Sequence, residues 1–371
     1  MHFAPLLVTS LFAGNALAHP GHDVQAEIAE RAAFMQTSKR DLSHCAAKMK
    51  ARGIEKRSIS RRAASAEMLR MKRNIASNAP YYKARDVGTV LSTSHLSSEA
   101  YSITTDEAIL FAGNNSCVLS PEVTQGPYYV SGEYVRENVV EEQKGVELVL
   151  DTQVIDMATC DPVPDAMIEI WHCNSTGVYS GIVAQGNGVG TSDPSNLNNT
   201  FLRGLQPTDA EGVAQFTTLF PGHYTGRAAH IHILAHFNGT IFPNGTYGGG
   251  YVSHVGQVFF DQDLITQVEA VSPYSTNTQP LTLNSEDNIF SSEAASSDPV
   301  IEYSLVGDDV SSGIFGWIAF GIDLTNEFSV SAAASLYAEG GVENPSSGGP
   351  GGPGMGGPPN GTAPPNGTGP V

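Results

Sequence analysis

Beyond Asp86 the chain has almost no positive charge: Arg136, Lys144, Arg203 and Arg227 stand against thirty-one Asp/Glu, a net −27. So acidic a body argues against nucleic acid as a partner. Cysteine is scarce too: Cys45, Cys117, Cys160 and Cys173 are too few for a disulfide scaffold but enough for a bridge or two in an oxidising compartment. If residues 166–173 form one strand, Cys160 and Cys173 lie roughly 20 Å apart at ~3.3 Å per residue. That disfavours their pairing and makes Cys117 the better partner for either, with connectivity otherwise open. No stretch reaches the roughly 18 continuous apolar residues of a membrane helix, so no membrane is expected as a partner. Helical periodicity is weak through residues 115–330 except near "DQDLITQVEAV", and no carboxylate occurs between Glu211 and Asp261.

The ends of the chain differ from its middle. Residues 1–18, "MHFAPLLVTSLFAGNALA", have the short apolar run and small-x-small ending of a secretory signal peptide. Sequons at Asn114, Asn174, Asn198, Asn238, Asn244, Asn360 and Asn366 fit a secreted, extracellular glycoprotein. Through Asp86 there are fifteen Lys/Arg against seven Asp/Glu, a net +8, with dibasic pairs at Lys39-Arg40, Lys56-Arg57, Arg61-Arg62 and Lys72-Arg73. Apolar residues in 19–86 are too sparse for a separate core, so this basic segment is expected to be a processed pro-region that carries no part of the chemistry. The other reading is an amphipathic helical arm that stays on the acidic body. Residues 339–371 are almost all Gly, Pro, Ser, Asn and Thr, the composition of a disordered tail.

Residues 87–338 remain as one domain. Runs such as "GVELVLDTQVID", "AMIEIWHC", "AAHIHILAHF" and "HVGQVFF" are rich in β-branched and aromatic residues and separated by Gly, Pro, Asn and Asp. They predict an all-β fold, an antiparallel β-sandwich.

The stretch "YTGRAAHIHILAH", residues 224–236, gathers a tyrosine, an arginine and three histidines. On a strand His230, His232 and His236 share a face, an arrangement suited to a metal. Carboxylate ligands are lacking nearby, but Tyr224 stands six residues before His230, and Tyr179 ends "IEIWHCNSTGVYSG".

Three ordered motifs, "CVLSPEVTQGPYYV", "PDAMIEIWHCNSTGVYSG" and "TDAEGVAQFTTLFPGHYTGRAAHIHI", resemble the intradiol ring-cleavage dioxygenases of catechol and protocatechuate type, especially secreted fungal members. The likeness runs from about Cys117 to Phe260. It implies one non-haem Fe(III) per chain held by Tyr179, Tyr224, His230 and His232. It also implies a catechol-type substrate, O2 as co-substrate, and cleavage between the two hydroxyls to a muconate-type dicarboxylate. Tyr224 corresponds to the ligand displaced by substrate, Arg227 to a residue stabilising negative charge in the transition state, and Gln257 to a glutamine behind the ligands. Asp165 and Ala228 depart from a glycine and a proline common in the family. Tyr128 and Tyr129 are candidates for the pocket mouth; Trp171, His172, His223 and His254 are expected to be structural. His236 could instead complete a three-histidine site on a cupin-like barrel. The alternative function is a non-catalytic secreted β-sandwich that binds phenolics or a wall polymer; oligomeric state is left open.

Overall fold

The computed structural model describes residues 42–76, 116–117, 126–294, 298–328 and 330–344. The signal sequence, the sequons at Asn114, Asn360 and Asn366, and most of the Gly/Pro tail lie outside these residues. Helices α1 (Ala46–Ala51) and α2 (Ile54–Lys72) come first. Strands β1 (Ser116–Cys117), β2 (Val130–Ser131), β3 (Glu147–Asp156), β4 (Met167–Trp171), β5 (Arg203–Pro207), β6 (Val213–Leu219), β7 (His230–Phe237), β8 (Thr240–Ile241), β9 (Tyr247–Gly248) and β10 (Tyr251–Phe259) follow. Helices α3 (Gln262–Glu269) and α4 (Asn288–Ala294) precede β11 (Glu302–Leu305), β12 (Ile314–Ile322), β13 (Ala334–Tyr337) and β14 (Gly340–Glu343).

Alternation along the strands divides the side chains between two layers. Leu148, Leu150 and Val154 of β3 and Ile318 and Phe320 of β12 meet Ile168 and Ile170 of β4 and Ile231, Ile233 and Ala235 of β7 in one buried cluster. The first layer is a five-stranded sheet, β1-β12-β3-β6 with β11 also on β12; the second is four-stranded, β10-β7-β4-β5. Because the odd-numbered residues of β7 enter this core, His230, His232 and His236 project from the opposite face of the four-stranded sheet. That face is covered in turn by Tyr128, Tyr129, Val130, Ala334 and Leu336, so the histidines are buried on the far side of the sheet from the main core.

The outer face of the five-stranded sheet is covered by the basic segment. Ala63 and Ala66 of α2 pack on Val149, Phe315 and Trp317, while Ser58 donates to Gln153 Oε1 at 2.9 Å. Arg61 grips Asp151 through two bonds of 3.0 and 2.9 Å, and Arg62 lies over the Trp317 ring at 5.4 Å. Asp151 is fully buried; leaving such a carboxylate unpaired costs about 3–5 kcal/mol. Rim pairs Arg57–Glu211 and Arg73–Glu147 add little individually. A disulfide, Cys45–Cys160, ties the segment to the body. Burial of β3 on both faces, with only Glu147 partly exposed, follows from this cover.

Three sequence expectations need correction. The sheets are not wholly antiparallel: β12 runs parallel to β3 from Ile314↔Leu148 to Ile322↔Asp156. "IFGWIAFGI" is buried throughout, and a strand apolar on both faces gives no cue to its direction. The ordered part also extends past residue 338, since β14 pairs antiparallel with β13. Backbone hydrogen bonds rather than apolar side chains hold that Gly-rich strand, so composition misses it. Finally, Cys160 pairs with Cys45 rather than Cys117, and Cys173 is a buried free thiol.

The bridge closes a loop of 115 residues, and disulfides of this kind contribute about 2–4 kcal/mol. The double variant Cys45→Ser/Cys160→Ser should lose stability by that amount in urea unfolding. Cleavage at a single site-specific protease site introduced after Arg73 should leave α2 attached on a non-reducing gel and release it only with reductant; release without reductant would contradict the tether.

Candidate metal centre

His230 and His232 are brought together by the period of β7. The Nδ1–H of His230 donates to the Ala228 carbonyl at 2.6 Å, which leaves Nε2 as its free lone pair. That Nε2 lies 3.2 Å from His232 Nε2 and 3.3 Å from the Tyr179 hydroxyl. Trp171 faces His232 across the β4–β7 ladder and stacks on it at 4.6 Å with 2° between planes, fixing the ring. Gly126 adopts φ +74°, and a Cβ there would come within 3.1 Å of His232 Cε1, so only glycine lets this segment close over the imidazole.

Tyr179 and Tyr224 arrive on neighbouring loops. The Tyr179 N–H donates to Asn187 Oδ1, and its carbonyl accepts from Asn187 and Asn196. A side chain on Gly177, whose φ is +80°, would collide with the His223 carbonyl; this close approach brings the two loops together. Tyr224 is held through its neighbours: His223 bridges Glu269 Oε1 at 2.8 Å and the Gln279 carbonyl at 2.9 Å, and the Gly226 N–H donates to Thr282 Oγ1. The Tyr224 ring stands edge-on to Tyr179 at 5.5 Å and to His230 at 5.8 Å.

Burial first, then the Arg227 charge, pushes both His230 and His232 well below the ordinary histidine value, so both rings are neutral imidazoles at neutral pH. Burial raises the Tyr179 and Tyr224 phenols. The Tyr128 hydroxyl is buried without a hydrogen-bond partner, a costly state for a phenol, while the buried Tyr224 hydroxyl lies beside that of Tyr179. A cation answers these features together. Two nitrogens each about 2.1 Å from a metal, at roughly 100° to one another, stand about 3.2 Å apart, as these do. Phenol oxygens suit a hard ion, imidazoles a transition metal.

Arg227, also buried, extends the cluster. Its Nε donates to Asp287 Oδ2 at 2.9 Å and its Nη2 to Gln257 Oε1 at 2.5 Å. Gln257 sits opposite His232 in the β7–β10 register, with its amide nitrogen 3.4 Å from His232 Nδ1. Tyr179, Tyr224, Arg227, His230, His232 and Gln257 therefore lie together. Tyr128 joins them, its ring 4.8 Å from Tyr179 and 5.9 Å from Tyr224, whereas Tyr129 packs behind Trp171.

His236 does not join the pair: its Nε2 meets Glu169 Oε2 at 2.6 Å, which removes the three-histidine alternative. Four residues beyond His232 on a strand, it is about 13 Å further along. His172 bonds the Cys173 carbonyl and Thr218, and burial lowers it to about 4. Sequence reading missed Asp287, Asn187, Asn196 and the stacking role of Trp171. Of these only Trp171, two residues along the strand from Glu169 and in register with His232, carried a signal that pairing could have exposed. The two departures fit their places: Asp165 takes the left-handed φ of +58° that glycine favours, and the Ala228 N–H donates to Asp287 Oδ2 at 2.8 Å, which proline could not do.

Comparison with known proteins gives a coherent set. The sequence family described as Dioxygenase matches residues 124–242. Catechol 1,2-dioxygenase 1 of Acinetobacter lwoffii is 29% identical over 140 residues, 31% of this chain and 41% of that protein. Catechol 1,2-dioxygenase of Acinetobacter baylyi is 28% identical over 144 residues, 32% of this chain and 43% of that protein. The chain thus spans about two-fifths of the length of these curated relatives. A solved structure of an intradiol ring-cleavage dioxygenase from Tetranychus urticae is 33% identical, covering 57% of this chain and 97% of that one, with a TM-score of 0.46.

The His223 anchor of the Tyr224 loop yields a pH prediction. Burial alone would lower His223, but hydrogen bonding to Glu269 and to the Gln279 carbonyl outweighs it and raises the ring above its ordinary value. A raised folded value contributes stability that is fully present below the unfolded pKa of about 6.5 and is lost as pH rises through the folded value. His223→Gln should therefore lower Tm more at pH 5.5 than at pH 9; equal losses at both would show that His223 acts only by packing.

Proposed function

We propose that the chain is an intradiol ring-cleavage dioxygenase, on the match of residues 124–242 to the Dioxygenase family, and that it is a secreted Fe(III) enzyme that opens catechol-type rings between the two hydroxyls. Dioxygen is the co-substrate and a muconate-type dicarboxylate the product. Tyr179, Tyr224, His230 and His232 hold one iron per chain. The observation that carries this reading is the convergence of two imidazole nitrogens and a phenol within 3.3 Å, beside the second buried phenol, Tyr224.

When bound, ferric iron supplies Lewis acidity that acidifies phenols and catechols and draws electron density from a bound catecholate, making the ring reactive toward dioxygen. The residues around it do the rest. Tyr179 and Tyr224 as phenolates would offset two of the three positive charges of the ion, which would ease its burial. Tyr224, on a loop, would hold the metal as a phenolate and would be the base that takes a proton from the entering catechol. Arg227 is a fixed cation beside the ring and stabilises negative charge as it develops there. Trp171 and Gly126 hold the His232 plane, and the Tyr128 cover excludes water.

Secretion is supported by the N-terminal signal pattern, by a disulfide suited to an oxidising compartment, and by exposed sequons at Asn198, Asn238 and Asn244. Asn174 is a poorer glycan acceptor, because its amide donates to Gln143 Oε1 at 3.0 Å. We read the two sheets sharing one core as the family's sandwich and the Gly/Pro tail as a spacer. Among the described residues no helix is long and apolar enough to cross a membrane.

The test is iron analysis with oxygen uptake and product identification on catechol, protocatechuate and hydroxyquinol. Iron with ring-opened product is expected; an iron-free or inert protein that still binds phenolics would favour the binding module. Tyr179→Phe, His230→Ala and His232→Ala should each lower iron and activity together, and full iron in all three would overturn the ligand set. Arg227→Ala should keep its iron yet lose about two orders of magnitude in single-turnover rate, the effect of ~3 kcal/mol from a preorganised donor. Lysine should rescue only in part, since it lacks the planar fork.

A further inference from the structure

We infer that Asp287 is a positioning residue that holds the Arg227 guanidinium at the angle its role requires. The inference rests on the proposed ring cleavage for its consequence, but not for its geometry.

Asp287 is buried, 1% exposed, and accepts four N–H groups. Oδ2 takes Arg227 Nε and the Ala228 backbone N–H at 2.9 and 2.8 Å. Oδ1 takes the N–H groups of Ile289 and Phe290 at 2.8 and 3.1 Å, at the start of α4. One carboxylate therefore joins the segment entering β7 to a helix roughly sixty residues later in the chain. Arg227 is gripped on both sides, Nε by Asp287 and Nη2 by Gln257, and two bonds on different nitrogens of a planar group fix its plane. A buried guanidinium also needs a compensating charge. Burial opposes ionisation of Asp287, yet Arg227 and the backbone N–H donors outweigh it and hold the carboxyl below its ordinary value. Ala228 strengthens the anchor, because its N–H aligns Oδ2 with the backbone two residues before His230.

Two roles are possible for such a residue, capping α4 or aiming Arg227, and substitution separates them. Ser is as good an N-cap as Asp, so Asp287→Ser keeps an acceptor for α4 but is too short to reach Arg227 as well. Asp287→Asn preserves size and can keep its oxygen on the helix, but then turns an NH2 toward Arg227 Nε and Ala228.

The experiment uses the full-length protein. In 15N–1H spectra the Arg227 Nε–H resonance, assigned by its loss in Arg227→Ala, should exchange slowly with solvent in the wild type and fast in Asp287→Ser and Asp287→Asn. In iron-loaded protein both variants should keep wild-type iron and bind catechol within a fewfold of wild-type affinity. Their single-turnover rate should fall about 30-fold or more. In an Arg227→Ala background Asp287→Ser should cost nothing further, since its effect passes through the arginine. Unchanged Nε–H protection, a wild-type rate, loss of iron, or multiplicative losses in the double variant would each overturn the inference. The exchange readout is independent of turnover, so a wild type that does not cleave catechol would undo the proposed function while leaving the Asp287 result to be judged separately.

Discussion

Two buried imidazole nitrogens, 3.2 Å apart, set the terms for much of this structure. With one Nε2 protonated the two rings share a single hydrogen bond, and burial opposes adding a second proton. The arrangement persists because each ring is fixed from behind: His230 by the Ala228 carbonyl, His232 by the Trp171 face and the Gln257 amide. These supports lie on β4, on β10 and at the entry to β7, three adjacent strands of one sheet. Placing the site on paired strands gives it precision that loops alone do not supply. The tyrosines are the adaptable part, on loops that meet where Gly177 allows the backbones to touch.

Covering both outer faces is the second condition. The four-stranded sheet carries the site on the side away from the core, where the segment from Gly126 through Val130 and β13 help to cover it. The five-stranded sheet buries Asp151, Gln153 and Trp317 beneath α2. Here charge and packing coincide: a basic helix lies on an acidic domain, and one of its ion pairs, Arg61–Asp151, is anchored on a fully buried carboxylate. Stability and site geometry thus depend on opposite faces, joined by the shared core of Leu150, Ile170 and Ile233.

The sequence made the centre legible where chemistry and period coincide. His230 and His232 follow from strand alternation, Tyr179 and Tyr224 from ordered motifs, and Gln257 from a family likeness that register with His232 explains. The β-rich body and the helix at α3 were readable from local pattern. What escaped depends on long-range pairing. Cys45 and Cys160 are separated by 115 positions, and spacing cannot join them. Asp287 sits in "SEDNIF" with nothing local to mark it, because its partners are Arg227 and Ala228. The parallel run of β12 and the glycine strand β14 are set by backbone pairing, and the seven-residue α4 is too short to show a period. His236 shares a face with the pair but finds Glu169 first, which only the β4–β7 alignment reveals.

The most direct measurement is the visible spectrum of the protein titrated with Fe(III), with metal content determined on the same sample. Two tyrosinates on ferric iron give a red colour by ligand-to-metal charge transfer. One iron per chain, a visible band that develops in proportion to it, and a change in that band when catechol is added without oxygen are the expected result. A protein that takes up iron at this stoichiometry and stays colourless would contradict the assignment of Tyr179 and Tyr224 as ligands.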